Sequence, residues 1–229
     1  MERKDTIQNA YRLAGSNNFY DGMITCSTAS GKAVCRAVWG MNKTECDEYL
    51  THALAGIPTD FSGQLLEVPV GTGVLTMPLY QNLPGTDITC LDYSPDMMAR
   101  AQEKASRLGL TNVRFQQGDV GALPFNDSSF DTVLSLNGFH AFPDKEAAYK
   151  ETFRVLKPGG TFCGCFYVKG GFIRTDWFIK NLYQPMKFFT PPYETMESLK
   201  ARLKKMYDTV RLGNVKGIAW FVCQKGVGK

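Results

Sequence analysis

The sequence of 229 residues has no apolar run longer than six residues, the longest extending from Ile218 to Cys223. A membrane-spanning helix needs roughly 18 or more apolar residues in succession, so no membrane span is expected. The first six residues alternate charges and lead into no apolar stretch, so no secretory signal is expected either. Internal repeats are also lacking. These absences predict a cytoplasmic protein.

Cysteine lacks the spacing of a metal site or of a disulfide framework. The seven cysteines are an odd number, and none forms a CxxC pair. A chain of this length can also fold without covalent staples. We therefore expect buried free thiols, no disulfide framework and no metal site. Cys163 and Cys165 stand two apart in a strand-like run, so their side chains should share one face of the sheet.

Charge is unevenly distributed along the chain. Residues 1–168 carry 14 basic and 18 acidic side chains, whereas residues 169–229 carry 12 basic and 4 acidic ones. Near the C-terminus, apolar side chains recur at helical spacing at Leu199, Leu203, Met206 and Tyr207. The basic side chains between them fall on other faces, at Lys200, Arg202, Lys204 and Lys205. We therefore expect the solvated face of an amphipathic helix there, and no nucleic-acid partner.

From residue 64 onward, short apolar runs alternate with helical patterns, which is typical of successive βα units and a parallel sheet. We predict strands at 65–68, 89–91, 113–116, 132–136 and 161–168, with two more near 209–212 and 219–224. Helices are predicted at about 73–81, from Ser94-Pro95 to Leu108, and from Asp144 to about Leu156. The expected fold class is α/β.

The two ends of the chain differ from this pattern. Residues 1–60 read as an N-terminal helical cap, with one helix opened by the capping box Thr44-Glu45-Cys46-Asp47. Residues 61–229 form the main domain, in which an aromatic-rich segment at about 170–195 is expected to cover the substrate together with Phe19-Tyr20-Asp21. Aromatic side chains line apolar pockets but also fill ordinary cores, and both interpretations remain open.

Acidic side chains follow three successive predicted strands. The turn Glu67-Val68-Pro69-Val70-Gly71-Thr72-Gly73 ends the first strand, and its glycines let the backbone approach a ligand. Asp92 ends the second strand, where a carboxylate can accept hydrogen bonds from ribose hydroxyls, and Asp119 ends the third. Because the carboxyl ends of parallel strands meet at one edge, the three acids should converge on one crevice.

Four segments in this region carry a resemblance to a known family: LLEVPVGTG, CLDYSPDMMARAQEKA, VRFQQGDVGALPFNDSSFDTVLS and ETFRVLKPGGTF. With them, residues 64–168 resemble a class I S-adenosylmethionine-dependent methyltransferase of the small-molecule branch that includes the ubiquinone- and menaquinone-biosynthesis type. The resemblance implies a Rossmann-like, doubly wound sheet of seven strands, mostly parallel with an antiparallel last strand. It also implies S-adenosylmethionine as cofactor and S-adenosylhomocysteine as product.

Carried over by position, the resemblance implies a set of cofactor contacts. The methionyl part would lie against Glu67, Gly71 and Gly73, and the ribose against Asp92. The adenine would contact Tyr93, Met97, Asp119 and Val120, and the sulfonium would lie near Asn137 and Gly138. Pro69 departs from the pattern, since a glycine is usual at its position, and proline fixes φ and removes an N–H group.

Histidine is scarce, and His140 is the better candidate for a general base. It follows the fourth strand in Asn137-Gly138-Phe139-His140, and a free imidazole has a pKa of about 6.5. The alternative is a histidine that shapes the pocket or hydrogen-bonds the backbone. His52 falls in the N-terminal helical pattern and is expected to be structural. Candidate substrate contacts are Tyr20, Trp177 and Tyr183.

The expected function is methyl transfer from S-adenosylmethionine to O, N, S or C of a small, partly apolar molecule. An NAD-dependent oxidoreductase is a second hypothesis, but its G-x-G-x-x-G fingerprint is incomplete because Thr76 stands at the last position. Further alternatives are an inactive S-adenosylmethionine-binding protein and a nucleic-acid methyltransferase. The sequence names neither the acceptor nor the oligomeric state.

Overall fold

The computed structural model describes residues 19–228, whose strands form one seven-stranded sheet. The strands are β1 Gly63–Glu67, β2 Thr86–Asp92, β3 Val113–Gln117, β4 Phe130–Leu136, β5 Leu156–Tyr167, β6 Thr209–Val215 and β7 Ile218–Gln224. Their order across the sheet is β3-β2-β1-β4-β5-β7-β6. Strands β1 to β5 pair in parallel, whereas β7 runs antiparallel to both β5 and β6. The predicted fold class is confirmed.

Helices cover both faces of this sheet. They are α1 Phe19–Ile24, α2 Ala29–Val34, α3 Lys43–Leu54, α4 Met77–Tyr80, α5 Pro95–Arg107, α6 Lys145–Val155, α7 Ile173–Phe178 and α8 Met196–Met206, with π-helical turns at Cys35–Trp39 and Ile179–Tyr183. Leu65 and Leu66, successive residues of β1, belong to two different buried clusters. Alternate side chains of a strand point to opposite faces, so the sheet has a core on each side.

Several helix boundaries follow their predicted caps. The Ser94 hydroxyl accepts a hydrogen bond from the backbone N–H of Met97, and the Asp144 carboxylate accepts one from Ala147. Helix α3, however, begins two residues earlier than expected, because Asn42 is its N-cap and Glu45 completes the capping box. The capping box predicted at Thr44 was wrong.

Two element boundaries were also predicted wrongly. The expected helix at 73–81 is reduced to Met77–Tyr80, because Gly73 has a left-handed φ of +66° that a helix does not allow. Strand β5 begins at Leu156, directly after α6, so that the Lys-Pro-Gly-Gly segment lies within the strand and does not separate helix from strand.

The helices before residue 60 pack directly on the sheet. His52 of α3 stacks on Trp220 of β7 with ring centroids 4.4 Å apart, which fits its expected structural role. After α3, Gly56 lies so close to β5 that a Cβ there would be 2.7 Å from Cys163 Cβ. The boundary at residue 60 stays a prediction, and residues 1–18 lie outside the described residues. Between residues 19 and 228, no helix is long and apolar enough to cross a bilayer.

The cysteines correct one expectation. Cys26 and Cys35 form a disulfide, whereas Cys46, Cys90, Cys163, Cys165 and Cys223 are buried free thiols. The Cys46 sulfur lies 3.0 Å from that of Cys26, but the disulfide leaves a single free thiol in this group of three. The pairing depends on the close approach of α1 and α2, where Gly31 contacts the backbone of Gly22, and spacing alone could not reveal that contact.

The amphipathic interpretation of α8 makes a stability prediction. Leu203 is fully buried against the sheet, whereas Lys204 is exposed. Leu203→Ala should therefore lower the free energy of unfolding by about 2–5 kcal/mol, through lost burial and the cavity left behind. Urea unfolding measures this. Lys204→Ala is the matched control, with an expected change within about 0.5 kcal/mol; equal effects of the two changes would contradict the packing described.

Candidate functional site

A cleft of about 1110 Å³, including its open mouth, lies at the carboxyl ends of the parallel strands. The loops after β1, β2, β3 and β4 form its floor and walls, and Tyr20 and Ile24 of α1 contribute from above. All ten residues predicted to contact a cofactor line this cleft: Glu67, Gly71, Gly73, Asp92, Tyr93, Met97, Asp119, Val120, Asn137 and Gly138. The topology thus brings together residues that are up to 71 positions apart in the sequence.

The loop after β1 exposes its backbone to the cleft. Gly71 and Gly73 both have a left-handed φ, of +56° and +66°, which glycine adopts without steric cost. A Cβ at Gly71 would meet no atom within 4 Å, so a ligand can approach this backbone closely. A Cβ at Gly73 would instead lie 2.8 Å from Met77 Cγ. The two glycines therefore serve different purposes, ligand approach at Gly71 and packing at Gly73.

Pro69 is accommodated by the glycine on the facing loop. A Cβ at Gly138 would lie 2.4 Å from Pro69 Cδ and 2.6 Å from Phe142 Cζ, so Gly138 is required where the two loops meet. The Val68–Pro69 peptide bond is cis. Proline offers no N–H group. The next residue, Val70, donates its N–H to the carbonyl of Leu91 in β2 and so ties the loop to that strand. Although Pro69 stands where a glycine is usual, Gly71 and Gly73 still line the cleft.

Asp92 links two loops of the cleft. One carboxylate oxygen accepts a hydrogen bond from the Gly71 N–H at 2.7 Å, and the other accepts one from the Ser94 N–H at 2.8 Å. Burial raises the pKa of this carboxyl to about 6, against the opposing effect of these hydrogen bonds. Each carboxylate oxygen can accept more than one hydrogen bond, so Asp92 can hold the loop and still bind a hydroxyl group.

Glu67 is more strongly desolvated than Asp92. Its carboxyl group is fully buried, and the Tyr80 hydroxyl donates to it at 2.7 Å. Burial raises the pKa of Glu67 to about 8, although hydrogen bonds from Tyr80 and neighbouring groups oppose the shift. Near neutral pH the group is therefore mostly protonated, and a cation placed beside it would favour its ionised form.

Hydrogen bonds fix the backbone of the loops after β3 and β4, which form the remaining walls of the cleft. The Asp119 carboxylate accepts a hydrogen bond from the Gly121 N–H at 2.9 Å, within its own loop. Asn137 has a left-handed φ of +56°, and its N–H donates to the Cys165 carbonyl at 2.7 Å. Left-handed conformations of residues other than glycine often occur at functional sites, and this one lies at the end of β4.

Helix α1 is fastened to the cleft by a contact that sequence reasoning missed. The Asp21 carboxylate accepts a hydrogen bond from the Thr72 hydroxyl at 2.6 Å and pairs with Lys104 of α5 at 2.8 Å. The sequence predicted only that Phe19-Tyr20-Asp21 would lie over the edge of the sheet. Nothing in it marked Asp21 as the residue that fastens the helix. Burial and the nearby charges of Asp92 and Asp21 raise the pKa of Tyr20, so its phenol stays protonated.

The charge of the cleft restricts its ligands. Three acids line it, Glu67, Asp92 and Asp119, and among the described residues that line it none is lysine, arginine or histidine. A pyrophosphate would meet no compensating side-chain charge there, whereas hydroxyl groups and cationic centres would find acceptors. The lining also includes apolar side chains, among them Leu136, Ala141, Phe142 and Pro143.

His140 lies beside the cleft and does not line it. Its Nδ1 accepts a hydrogen bond from the Tyr167 N–H at 3.3 Å, and its ring stacks on Phe189 with centroids 4.1 Å apart. Burial, and to a lesser degree the charge of Lys145, lowers the pKa of His140 to about 3. These contacts favour the structural alternative over a general base, and its catalytic role stays a prediction.

The three predicted substrate contacts are in different environments. Tyr20 lines the cleft. Tyr183 is half-buried in an aromatic cluster with Phe188 and Phe189. Trp177 lies on the solvent side of α7 and contacts Phe178. The structure therefore does not bring Trp177 or Tyr183 to the described cleft, and much of the aromatic-rich segment is core.

Comparison with known proteins places these features in context. A family model described as a methyltransferase domain matches residues 65–160. A demethylmenaquinone methyltransferase of Thermus thermophilus is 43% identical over 97 residues, covering 42% of this chain and 44% of the relative. A phosphatidylethanolamine N-methyltransferase of Cereibacter sphaeroides is 40% identical over 99 residues, covering 43% of this chain and 47% of the relative. The chain thus spans less than half the length of these relatives.

Similarity of fold extends further along the chain. A phosphoethanolamine N-methyltransferase of Haemonchus contortus, solved in complex with S-adenosyl-L-methionine, superposes with a TM-score of 0.66 at 18% identity. The superposition covers 93% of this chain and 61% of that one. The shared sheet therefore includes the strands beyond the segment in which sequence similarity is found.

The buried Glu67 predicts a pH dependence of stability. The folded protein keeps a proton on Glu67 up to a pH of about 8, whereas the unfolded chain releases it near its ordinary pKa of 4.5. The free energy of unfolding of the ligand-free protein should therefore fall as the pH rises from 6.5 to about 8. This range lies above the ordinary histidine pKa of 6.5, so histidine titration in the unfolded chain contributes little to the change. Urea unfolding of Glu67→Gln should show a flatter profile.

Glu103→Gln provides the control, since Glu103 is exposed on α5 and pairs with Arg107. It should keep the pH profile of the natural protein. Identical profiles for the natural protein and Glu67→Gln would show that Glu67 is not protonated in the fold.

Proposed function

We propose that this protein is a class I S-adenosylmethionine-dependent methyltransferase, which transfers a methyl group from S-adenosylmethionine to a small, partly apolar molecule. The match of residues 65–160 to a methyltransferase-domain model supports this. The observation that carries the proposal is the cleft itself, where acids at the ends of three successive strands surround an exposed glycine loop and no basic side chain is present among the described lining residues. The cytoplasmic location expected from the sequence remains part of this proposal.

The residues of the cleft fit this cofactor by their chemistry. When bound, S-adenosylmethionine supplies a methyl group on a positively charged sulfur, and S-adenosylhomocysteine is left after transfer. Glu67, Gly71 and Gly73 would hold the methionyl part, where the buried Glu67 carboxyl can respond to a cation by ionising. Asp92 would accept hydrogen bonds from the ribose, and Asn137 and Gly138 would lie near the sulfur. Because the leaving group is part of the cofactor, the protein mainly aligns the acceptor and excludes water.

The adenine would lie between the ends of β2 and β3. Tyr93 and Met97 would flank it on one side, and Asp119 with Val120 would read its edge. All four line the cleft, with Met97 and Val120 buried. These assignments rest on the match to the family pattern and on the position of each residue in the cleft.

The acceptor is proposed to be at least partly apolar. Tyr20, Ile24 and the apolar residues Leu136, Ala141, Phe142 and Pro143 also line the cleft. The names of the two relatives refer to a quinone precursor and to a phospholipid, which supports acceptors with apolar parts. Among the candidate substrate residues, Tyr20 is the one that the cleft supports, because Trp177 and Tyr183 do not line it.

The alternatives remain distinguishable by experiment. NAD binding is disfavoured because the G-x-G-x-x-G fingerprint is incomplete at Thr76, and because the helix whose N-terminus would hold the pyrophosphate is reduced to Met77–Tyr80. An inactive S-adenosylmethionine-binding protein would bind the cofactor without turning over any acceptor. A nucleic-acid methyltransferase would bind RNA or DNA with an affinity that falls steeply with salt concentration. On α8, Arg202 is paired with Glu146 and Glu194, which reduces the positive charge available to a phosphate backbone.

Asp92→Ala should weaken the binding of both S-adenosylmethionine and S-adenosylhomocysteine by about 5- to 150-fold, the equivalent of about 1–3 kcal/mol for hydrogen bonds to a charged group. Isothermal titration calorimetry measures the affinities. Asp96→Ala is the matched control, because Asp96 is exposed on α5 outside the cleft and its loss changes the net charge equally. Tight binding of NAD, or unchanged cofactor affinity in Asp92→Ala, would refute the cofactor assignment.

His140→Asn separates the two roles left open for this histidine. Asparagine keeps an acceptor for the Tyr167 N–H but cannot act as a base near neutral pH, so a positioning role predicts turnover within about tenfold of the natural protein. A general base predicts a loss of about 10²- to 10⁴-fold in the rate of the chemical step with cofactor affinity unchanged. Single-turnover kinetics across a pH series distinguishes the two, and the contacts of His140 predict the smaller effect.

A further inference from the structure

The segment from Ile173 to Lys187 exposes large apolar side chains to solvent. The exposed fraction is 86% for Ile173, 60% for Trp177, 45% for Leu182 and 49% for Met186. Ile173 and Trp177 are one helical turn apart in α7, and Leu182 and Met186 are joined by a hydrogen bond from the Met186 N–H to the Leu182 carbonyl. We call these four side chains the exposed stripe. Groups of large exposed apolar side chains mark surfaces that bind a partner or a membrane.

The stripe stands on a firmly packed support. The Thr175 hydroxyl donates to the Val38 carbonyl at 2.8 Å, and Ile179 is buried in the core cluster beneath. Two residues after the segment, Phe189 is buried against the His140 ring. Because Thr175 and Ile179 are buried on the inner face of the segment, the apolar residues of the stripe are held on the outer face.

The exposed charged side chains of the segment itself are all positive. Arg174, Lys180 and Lys187 are exposed, and no ion pair joins Lys180 or Lys187 to an acid among residues 19–228. Asp176, the only acid between residues 170 and 188, is partly buried and accepts hydrogen bonds from the Tyr167 hydroxyl and the Gly170 N–H. The outer face therefore combines apolar and positively charged groups.

The residues that follow this segment contact the wall of the cleft. The Thr190 N–H donates to the His140 carbonyl at 2.9 Å, and the Lys145 ammonium donates to the carbonyls of both Thr190 and Phe142. Phe142 lines the cleft. The segment that carries the stripe thus ends three residues before a contact with the part of the wall that includes Phe142.

We propose that the exposed stripe docks on the surface of an anionic phospholipid bilayer. Apolar side chains with a tryptophan enter the boundary between headgroups and acyl chains, while lysine and arginine contact anionic headgroups. A second copy of the chain fits this surface less well, because it would bring the same basic side chains face to face. Docking would place the cleft beside the phase in which an apolar acceptor dissolves, a consequence that rests on the proposed function.

Flotation of the full chain with lipid vesicles tests the proposal. The protein should float with vesicles of phosphatidylcholine and phosphatidylglycerol in equal parts, and much less with phosphatidylcholine alone. Trp177→Ser combined with Met186→Ser should reduce binding to the mixed vesicles by tenfold or more, on the order expected for the loss of two buried apolar side chains. Lys180→Gln combined with Lys187→Gln should abolish the preference for phosphatidylglycerol.

A matched control removes two exposed lysines elsewhere. Lys204→Gln combined with Lys205→Gln on α8 lowers the net charge equally and should leave vesicle binding nearly unchanged. Equal losses in the two lysine pairs would show general electrostatic attraction and overturn the docking site. A lack of binding to mixed vesicles would also overturn the docking site. The same holds for a dimer, seen in sedimentation, that Trp177→Ser converts to a monomer.

Calorimetry with S-adenosylhomocysteine on the same variants separates this inference from the proposed function. The stripe variants should bind S-adenosylhomocysteine as the natural protein does. A natural protein that binds S-adenosylhomocysteine but no vesicles would refute the docking site alone. Stripe-dependent vesicle binding without S-adenosylhomocysteine binding would refute the proposed function and leave the docking site standing.

Discussion

The Asp92 carboxylate is the group on which the cleft depends most. It joins the Gly71 N–H of the loop after β1 to the Ser94 N–H at the start of α5, so one side chain fixes the relation of two loops. Hydrogen bonds to a charged acceptor are among the stronger ones in proteins, which offsets the cost of burying the acid. The same carboxylate faces the cleft. Holding the loop and offering an acceptor to a ligand are therefore two uses of one charge.

The cleft as a whole is prepared for a ligand that brings positive charge and hydroxyl groups. Glu67 and Asp92 both have raised pKa values because burial disfavours their ionised forms. A cationic ligand would restore the compensation that solvent no longer provides. Helix α1 adds a cover fastened at Asp21, so that the ligand would be enclosed between the loops and this helix.

The sequence predicted the features of the cleft that follow from the order of the parallel strands, but not those that depend on how helices pack. The acids at the strand ends and the glycine turn were predicted correctly as neighbours, because parallel strands force their carboxyl ends to one edge. The link between Asp21 and Thr72 and the disulfide of Cys26 with Cys35 were missed. Both depend on how α1 packs against other elements, which no local pattern records. The late start of the helix, at Met77 and not at Gly73, was missed because the left-handed φ of that glycine serves the loop and not a helix.

A crystal structure of the complex with S-adenosylhomocysteine tests the central claim most directly. We expect the ribose hydroxyls within hydrogen-bond distance of the Asp92 carboxylate while its bond to the Gly71 N–H persists, and the amino-acid part of the ligand against Glu67 and the glycine loop. A ligand bound elsewhere, or one whose ribose makes no contact with Asp92, would contradict the account.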